Sequence, residues 1–207
     1  MQNKIIVAGI GPGNKNYITP VALEKIQSAK FLVGGRRALA DFSTSSQETF
    51  AITADLNAVK NFIVEKILLD NVVVMVSGDP GYFSLLTYLK KNFTTEIEVI
   101  PSISAMQLAF AKLALSWENA TLLSFHGRRP ADSDLKFEVG KVLGLLTDAE
   151  FNSVTISEIL LNLGWEKKSN IAICSRLSYP DEKITVTTLE SAIKSDAVKH
   201  CILIVGF

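Results

Sequence analysis

The sequence predicts an α/β protein of two domains, each a sheet with helices packed on it. Two observations predict it. Short apolar runs of strand type alternate with segments of helical spacing along most of the chain, and β-α alternation implies a mainly parallel sheet with right-handed crossovers. Three turns rich in Gly, Pro and Ser stand where such runs stop: Gly9-Ile10-Gly11-Pro12-Gly13, Ser77-Gly78-Asp79-Pro80 and Pro101-Ser102-Ile103-Ser104-Ala105. In an open α/β sheet, ligands bind outside the carboxyl ends of the strands, so the three turns point to one crevice.

In the first half, residues 4–10 read as a buried strand. Residues 19–29 read as a helix with Thr19 as N-cap and Pro20 in its first position. A short strand at 31–33 runs into Gly34-Gly35-Arg36-Arg37. Residues 54–69 have helical spacing. Residues 72–76 are five consecutive apolar residues, the mark of a strand buried on both faces. A helix over 81–91, a strand over 97–100 and a helix over 104–114 follow.

A break falls at Leu115-Ser116-Trp117, so the domains are expected at 1–114 and 118–207. The second series starts with a strand over 120–125, ending in His126-Gly127-Arg128-Arg129-Pro130. A polar helix and a strand over 142–146 lead to Thr147-Asp148. Residues 153–163 form a helix closed by Gly164. A strand over 171–174 is followed by a half-exposed run at 183–188 that alternates polar and apolar and reads as antiparallel. A short helix over 189–194 and a strand over 201–205 complete the series.

Composition excludes several classes. Hydrophobic residues are 48% of the 207, enough for a sizeable core. Lys plus Arg and Asp plus Glu are both 21, and zero net charge argues against a general nucleic-acid binder. The apolar run behind Met1-Gln2-Asn3-Lys4 is too short for a signal-peptide core. No stretch reaches the ~18 apolar residues of a membrane helix. A cytoplasmic protein with no membrane association is expected. Cys174 and Cys201 lie in strand-like runs and read as buried reduced thiols, with a disulfide or metal pair as the alternative. Two histidines, His126 and His200, speak against a His-rich metal site.

The Gly9-Gly11-Gly13 turn is not a dinucleotide fingerprint. Asn14 stands where the third Gly is needed, and no acidic residue follows the second strand. Pro12 has no N–H to offer a phosphate. A structural turn and a site-lining turn stay open. Asp79, held between Gly and Pro at a strand end, either caps the following helix or faces a ligand amine or ribose. Four of the five arginines form two pairs, Arg36-Arg37 and Arg128-Arg129, each directly after Gly. Arg grips carboxylates with a planar fork, so the pairs suggest a substrate with several carboxylates; the alternative is solvated loop charge. His126 either lines the site or bonds within its loop. Without a visible nucleophile or catalytic carboxylate pair, an enzyme here must rely on a reactive cofactor and positioning.

Taken together, these segments resemble the tetrapyrrole methylases, which use S-adenosylmethionine on corrin and porphyrin precursors. The resemblance spans 7–13 with Tyr17-Ile18-Thr19, then 77–82, 101–105 and the closing strand over 202–206. Val33-Gly34-Gly35-Arg36-Arg37, 107–113, Trp117 and Ser124-Phe125-His126-Gly127-Arg128 are similar to the subgroup that methylates carbon 5 of precorrin-7 or its cobalt form.

The resemblance implies two α/β domains with the active-site cleft between them, S-adenosylmethionine as cofactor and no metal. Pro12, Ser77, Gly78, Asp79, Tyr82, Ser104, Ala105, His126 and Cys201 would contact the cofactor. Gly11, Gly13, Arg36, Arg37, Arg128 and Arg129 would bind the tetrapyrrole. A homodimer is implied. Some relatives carry a fused domain that methylates carbon 15 and decarboxylates; this chain stops at the family's last strand, so that step is expected from a separate enzyme. The family usually has Gly at the position of Ser102; if that Gly is left-handed, Ser102 strains the loop. Other readings are a methylase of the same fold on another corrin precursor or ribosomal RNA, an NADP-dependent oxidoreductase, and a non-catalytic corrin- or S-adenosylmethionine-binding module.

Overall fold

The computed structural model describes residues 3–207; Met1 and Gln2, part of the opening segment considered above, lie outside the described residues. The chain divides into two compact units, Met1–Ser104 and Ala105–Phe207.

Among the described residues the first unit has five strands: β1 (Ile5–Gly9), β2 (Phe31–Gly34), β3 (Glu48–Ala51), β4 (Val72–Val76) and β5 (Ile97–Ile100). They pair in the order β3-β2-β4-β1-β5, all parallel. Every residue of β1, β2 and β4 is buried, as expected where helices cover both faces. Alternate residues serve opposite faces. Ile6, Ala8, Leu32, Val73 and Met75 pack with Ala22 and Ile26 of α1 (Pro20–Ser28) and with Ala38 and Phe42 of α2 (Arg36–Phe42). Ile5, Val7, Val33, Val72 and Val74 pack with Val59 and Ile63 of α3 (Leu56–Lys66) and Leu89 of α4 (Leu86–Asn92).

Thr19 caps α1, its hydroxyl accepting from the N–H of Ala22 at 3.3 Å, with Pro20 in the first turn. The elements α2 and β3 lacked a sequence signal. The helix expected from residue 81 begins only at Leu86, because Phe83 takes a left-handed backbone (φ 48°) that a helix cannot continue through.

The second unit opens with α5 (Ala105–Lys112) and holds β6 (Thr121–Ser124), α6 (Asp132–Leu135), β7 (Leu143–Leu146), α7 (Ser153–Asn162), β8 (Asn170–Ser175), β9 (Lys183–Thr188), α8 (Leu189–Ala192) and β10 (Ile202–Val205). Its strand order is β6-β7-β10-β8-β9, with β6–β7 parallel and the other pairs antiparallel. One face packs Leu143, Leu145, Leu203 and Val205 with Ile156 and Leu160 of α7 and Leu189 of α8. On β7, a Cβ at Gly144 would stand 2.8 Å from Met106 Sδ and 3.1 Å from Phe110 Cε2 of α5. Gly144 is thus what lets α5 lie close on the sheet. That packing assigns α5 to the second unit, so the division falls before this helix, whereas the sequence pattern suggested a break after it.

Candidate functional site

The three turns singled out in the sequence follow β4, β1 and β5, and these are neighbours in the first sheet. All run parallel, so their carboxyl ends share one edge. The chain places β2 on one side of β1 and β5 on the other, so this edge is a topological switch point, where such sheets bind ligands.

Backbone contacts lock the turns together. Gly11 and Gly78 form an antiparallel bridge, the Gly78 N–H donating to Gly11 O at 2.8 Å. Gly11 is left-handed (φ 75°), and a Cβ on it would meet Tyr17 O at 2.9 Å. Asp79 ties the second turn to the third: Oδ1 accepts the N–H of Gly81 at 2.7 Å, and Oδ2 accepts the N–H of Ser102 at 2.9 Å. Asp79 does not cap α4, which starts seven residues later. Ser102 is not among the left-handed residues of the described chain, so the strain considered for it does not arise. Its hydroxyl reaches Tyr17 O at 3.4 Å.

Around this edge Ser77 is exposed, Pro12, Gly13, Gly78, Asp79 and Tyr82 are half-buried, and Ser104 is buried. The Tyr82 hydroxyl is the buried side-chain oxygen that lacks a hydrogen-bond partner among the described residues. Burial raises its pKa well above the ordinary phenol value, so it is a neutral group able to donate. Arg36 and Arg37 are exposed in the first turn of α2, at the carboxyl end of β2 and therefore on the same edge.

In the second unit, β6, β7 and β8 point the same way, so the ends of these strands and the start of β10 share an edge. His126, Arg128 and Arg129 are exposed on the turn after β6. The His126 N–H donates to Ser124 Oγ at 3.2 Å, and Arg129 pairs with Asp132 at 2.6 Å. Ala105, half-buried, starts α5. Cys201 is buried just before β10; its N–H donates to Thr147 Oγ1 at 2.8 Å, and its thiol to Val198 O at 3.4 Å. Burial pushes the Cys201 thiol up to about 11, against the pull of the Thr147 hydroxyl. Thr147 and Asp148, noted in the sequence only as a strand end, hold this edge together through contacts that local spacing does not reveal.

The family model described as Tetrapyrrole (Corrin/Porphyrin) Methylases matches residues 4–193. The chain is 31% identical to the probable cobalt-precorrin-7 C(5)-methyltransferase of Methanocaldococcus jannaschii, across 93% of this chain and 92% of that protein. It is 30% identical to the cobalt-precorrin-7 C(5)-methyltransferase of Salmonella typhimurium, across 97% and 98%. Among solved structures, the methyltransferase CobJ superposes with a TM-score of 0.82 over 99% of this chain and 94% of that one, at 21% identity. The precorrin-6Y methylase cbiE of Archaeoglobus fulgidus gives 0.75 over 100% and 98%, at 23% identity. Both of these structural likenesses establish the shared fold.

Proposed function

The chain belongs to the tetrapyrrole methylases, and we propose that within the family it transfers a methyl group from S-adenosylmethionine to carbon 5 of cobalt-precorrin-7 or precorrin-7 in corrin ring synthesis. The observation that carries this reading is similarity over nearly the full length of both chains to two proteins named for that reaction. An oxidoreductase loses its ground, since the glycine turn lacks the third Gly of a dinucleotide site.

The residues fit the cofactor. The orphaned Tyr82 hydroxyl supports a polar ligand atom beside it, because buried polar groups are almost always paired in the working state. Ser77, Gly78, Asp79 and Tyr82 on the first unit, with Pro12 and Ser104, would hold the cofactor together with Ala105, His126 and Cys201 of the second. Asp79 keeps the turns in place, and each of its oxygens retains a further lone pair for a ligand hydroxyl or ammonium. Both Cys201 and Tyr82 are neutral at pH 7, so neither adds an anion beside a sulfonium.

When bound, S-adenosylmethionine supplies a methyl group already activated on sulfur. What the protein must add is alignment and exclusion of water. Arg36, Arg37, Arg128 and Arg129 would grip the acetate and propionate arms of the ring, with Gly11 and Gly13 leaving room for it. A homodimer, which the family resemblance supports, completes the reading, with the cytoplasm as its place. The carbon-15 methylation and decarboxylation would belong to another enzyme; both similar relatives are named for carbon 5 alone.

The test is mass spectrometry of cobalt-precorrin-7 and precorrin-7, each incubated with the protein and S-adenosylmethionine. A gain of one methyl without loss of carbon dioxide is expected. Loss of carbon dioxide, or no gain on either form, overturns the assignment.

A further inference from the structure

We propose that Asp148 is a positioning residue for methyl transfer, holding the turn that carries His126 and Arg128 against its neighbouring strand. This role rests on reading that turn as part of the site. In the second sheet β7 lies between β6 and β10. Regular pairing stops at Leu146, which faces Ser124 on one side and Ile202 on the other. The next two residues continue the ties to both neighbours by other means.

Thr147 serves the β10 side. Its hydroxyl accepts the Cys201 N–H at 2.8 Å and donates to Cys201 O at 2.9 Å. Asp148 serves the β6 side. Its carboxylate Oδ2 accepts the Gly127 N–H at 3.0 Å, while its backbone O, on the β10 side, accepts the His200 N–H at 3.4 Å. The second carboxylate oxygen acts within its own connection, where Oδ1 accepts the N–H groups of Glu150 at 2.9 Å and Phe151 at 2.8 Å. The backbone bonds from Gly127 and Phe151 hold the Asp148 carboxyl below the usual carboxylate range, with a smaller contribution from the nearby His126, so the clasp is a charged one at neutral pH.

The turn needs such a clasp. His126 to Arg129 are all exposed, Gly127 is left-handed (φ 66°), and beyond its chain neighbours no heavy atom lies within 4 Å of where its Cβ would be. Packing at Gly127 therefore does not fix the turn. The backbone bonds from the His126 N–H to Ser124 Oγ and from the Arg128 N–H to Phe125 O stay within its own segment. The bond to Asp148 reaches the next strand. A charged acceptor makes a stronger hydrogen bond than a neutral one, and a misplacement of a positioning group by about 1 Å costs about 100-fold in rate.

The division of labour between the two oxygens allows a test. In Asp148→Asn the amide oxygen can stay on Glu150 and Phe151, while the NH2 group meets the Gly127 N–H, donor against donor. Asp148→Ala removes both functions. Each is compared with the wild-type protein for thermal unfolding and for steady-state methylation of cobalt-precorrin-7. Asp148→Asn is expected to keep nearly the wild-type melting temperature, to keep the KM for S-adenosylmethionine, and to lose about tenfold or more in kcat/KM for the tetrapyrrole. Asp148→Ala is expected to lose both activity and stability. Wild-type kcat/KM in a folded Asp148→Asn protein overturns the inference and leaves the carbon-5 reading standing, as does a loss of activity in Asp148→Asn that merely follows its loss of stability. A wild-type protein that methylates neither form of precorrin-7 overturns the reading itself, and the role of Asp148 with it.

Discussion

Ser102 donates its backbone N–H to Oδ2 of Asp79 at 2.9 Å, joining two turns 23 residues apart in sequence. The other oxygen of the same carboxylate accepts the N–H of Gly81 at 2.7 Å. Asp79 is therefore a brace for the site edge before it is anything else. Asp79→Ala removes both acceptors and is expected to destabilise the protein by about 1–3 kcal/mol. Asp79→Asn, which keeps one carbonyl oxygen, is expected to lose less. Urea titration of the three proteins checks the order; equal stability of wild type and Asp79→Ala would remove the brace.

Gly9 sits where the three turns close on one another. A Cβ there would stand 2.7 Å from Gly78 O, 2.7 Å from Ser102 Cβ and 2.8 Å from Pro80 Cδ. All three belong to backbone or to short side chains that cannot swing away. Gly9→Ala is expected to cost about 1–3 kcal/mol through overpacking and to lower methylation by displacing the turns. Gly35→Ala is the control. Its φ is −61°, and nothing lies within 4 Å of the new methyl, so its melting temperature should stay within a degree or two of wild type, about 0.5 kcal/mol or less.

Much of this architecture was legible because single residues carry strong local signals. The unbroken apolar run of β4 announced a strand buried on both faces, and Thr19-Pro20 announced the start of α1. The alternation in β9 announced its antiparallel pairing with β8. What stayed hidden has physical reasons. In α2, Arg36 and Arg37 fill the first turn and only Ala38 and Phe42 are buried, so seven residues show almost no apolar stripe. In β3, Glu48 and Thr49 are exposed at the sheet edge. The turns of the site were visible one by one, but their adjacency comes from the strand order β4-β1-β5, which no local spacing encodes. Asp148 was likewise invisible as a clasp, because its partner Gly127 is 21 residues away.

The two thiols report on the second unit. Burial pushes Cys174 up to about 12 and Cys201 up to about 11, from 9.0 in the open chain. Thiolate is the reactive form, so a disulfide-exchange reagent at pH 8 should label neither cysteine in the native protein and both after unfolding. The same shifts set an alkaline limit. Above pH 9 the unfolded chain releases these protons while the native protein keeps them, so the native state binds more protons and stability falls as pH rises. The stabilisation is complete below pH 9 and is lost between about 9 and 12. A stability that rises over that range would contradict the burial of both thiols.

The arginine pairs should separate substrate from cofactor. Arg36→Ala and Arg128→Ala each remove a planar two-pronged donor for a carboxylate. Each is expected to raise the KM for the tetrapyrrole about tenfold or more, since hydrogen bonds to charged groups contribute about 1.5–3 kcal/mol. Binding of S-adenosylhomocysteine, followed by calorimetry, should stay as in wild type. Unchanged tetrapyrrole affinity in both variants would return these residues to the status of solvated loop charge.

The most direct measurement follows the methyl group itself. Cobalt-precorrin-7 and precorrin-7 are each incubated with the protein and S-adenosylmethionine carrying a carbon-13 methyl, and the product is read by carbon-13 NMR. Carbon-5 methylation predicts one labelled methyl, bonded to ring carbon 5, with every carboxylate arm intact. A label on any other ring carbon, or none on either substrate, would contradict it.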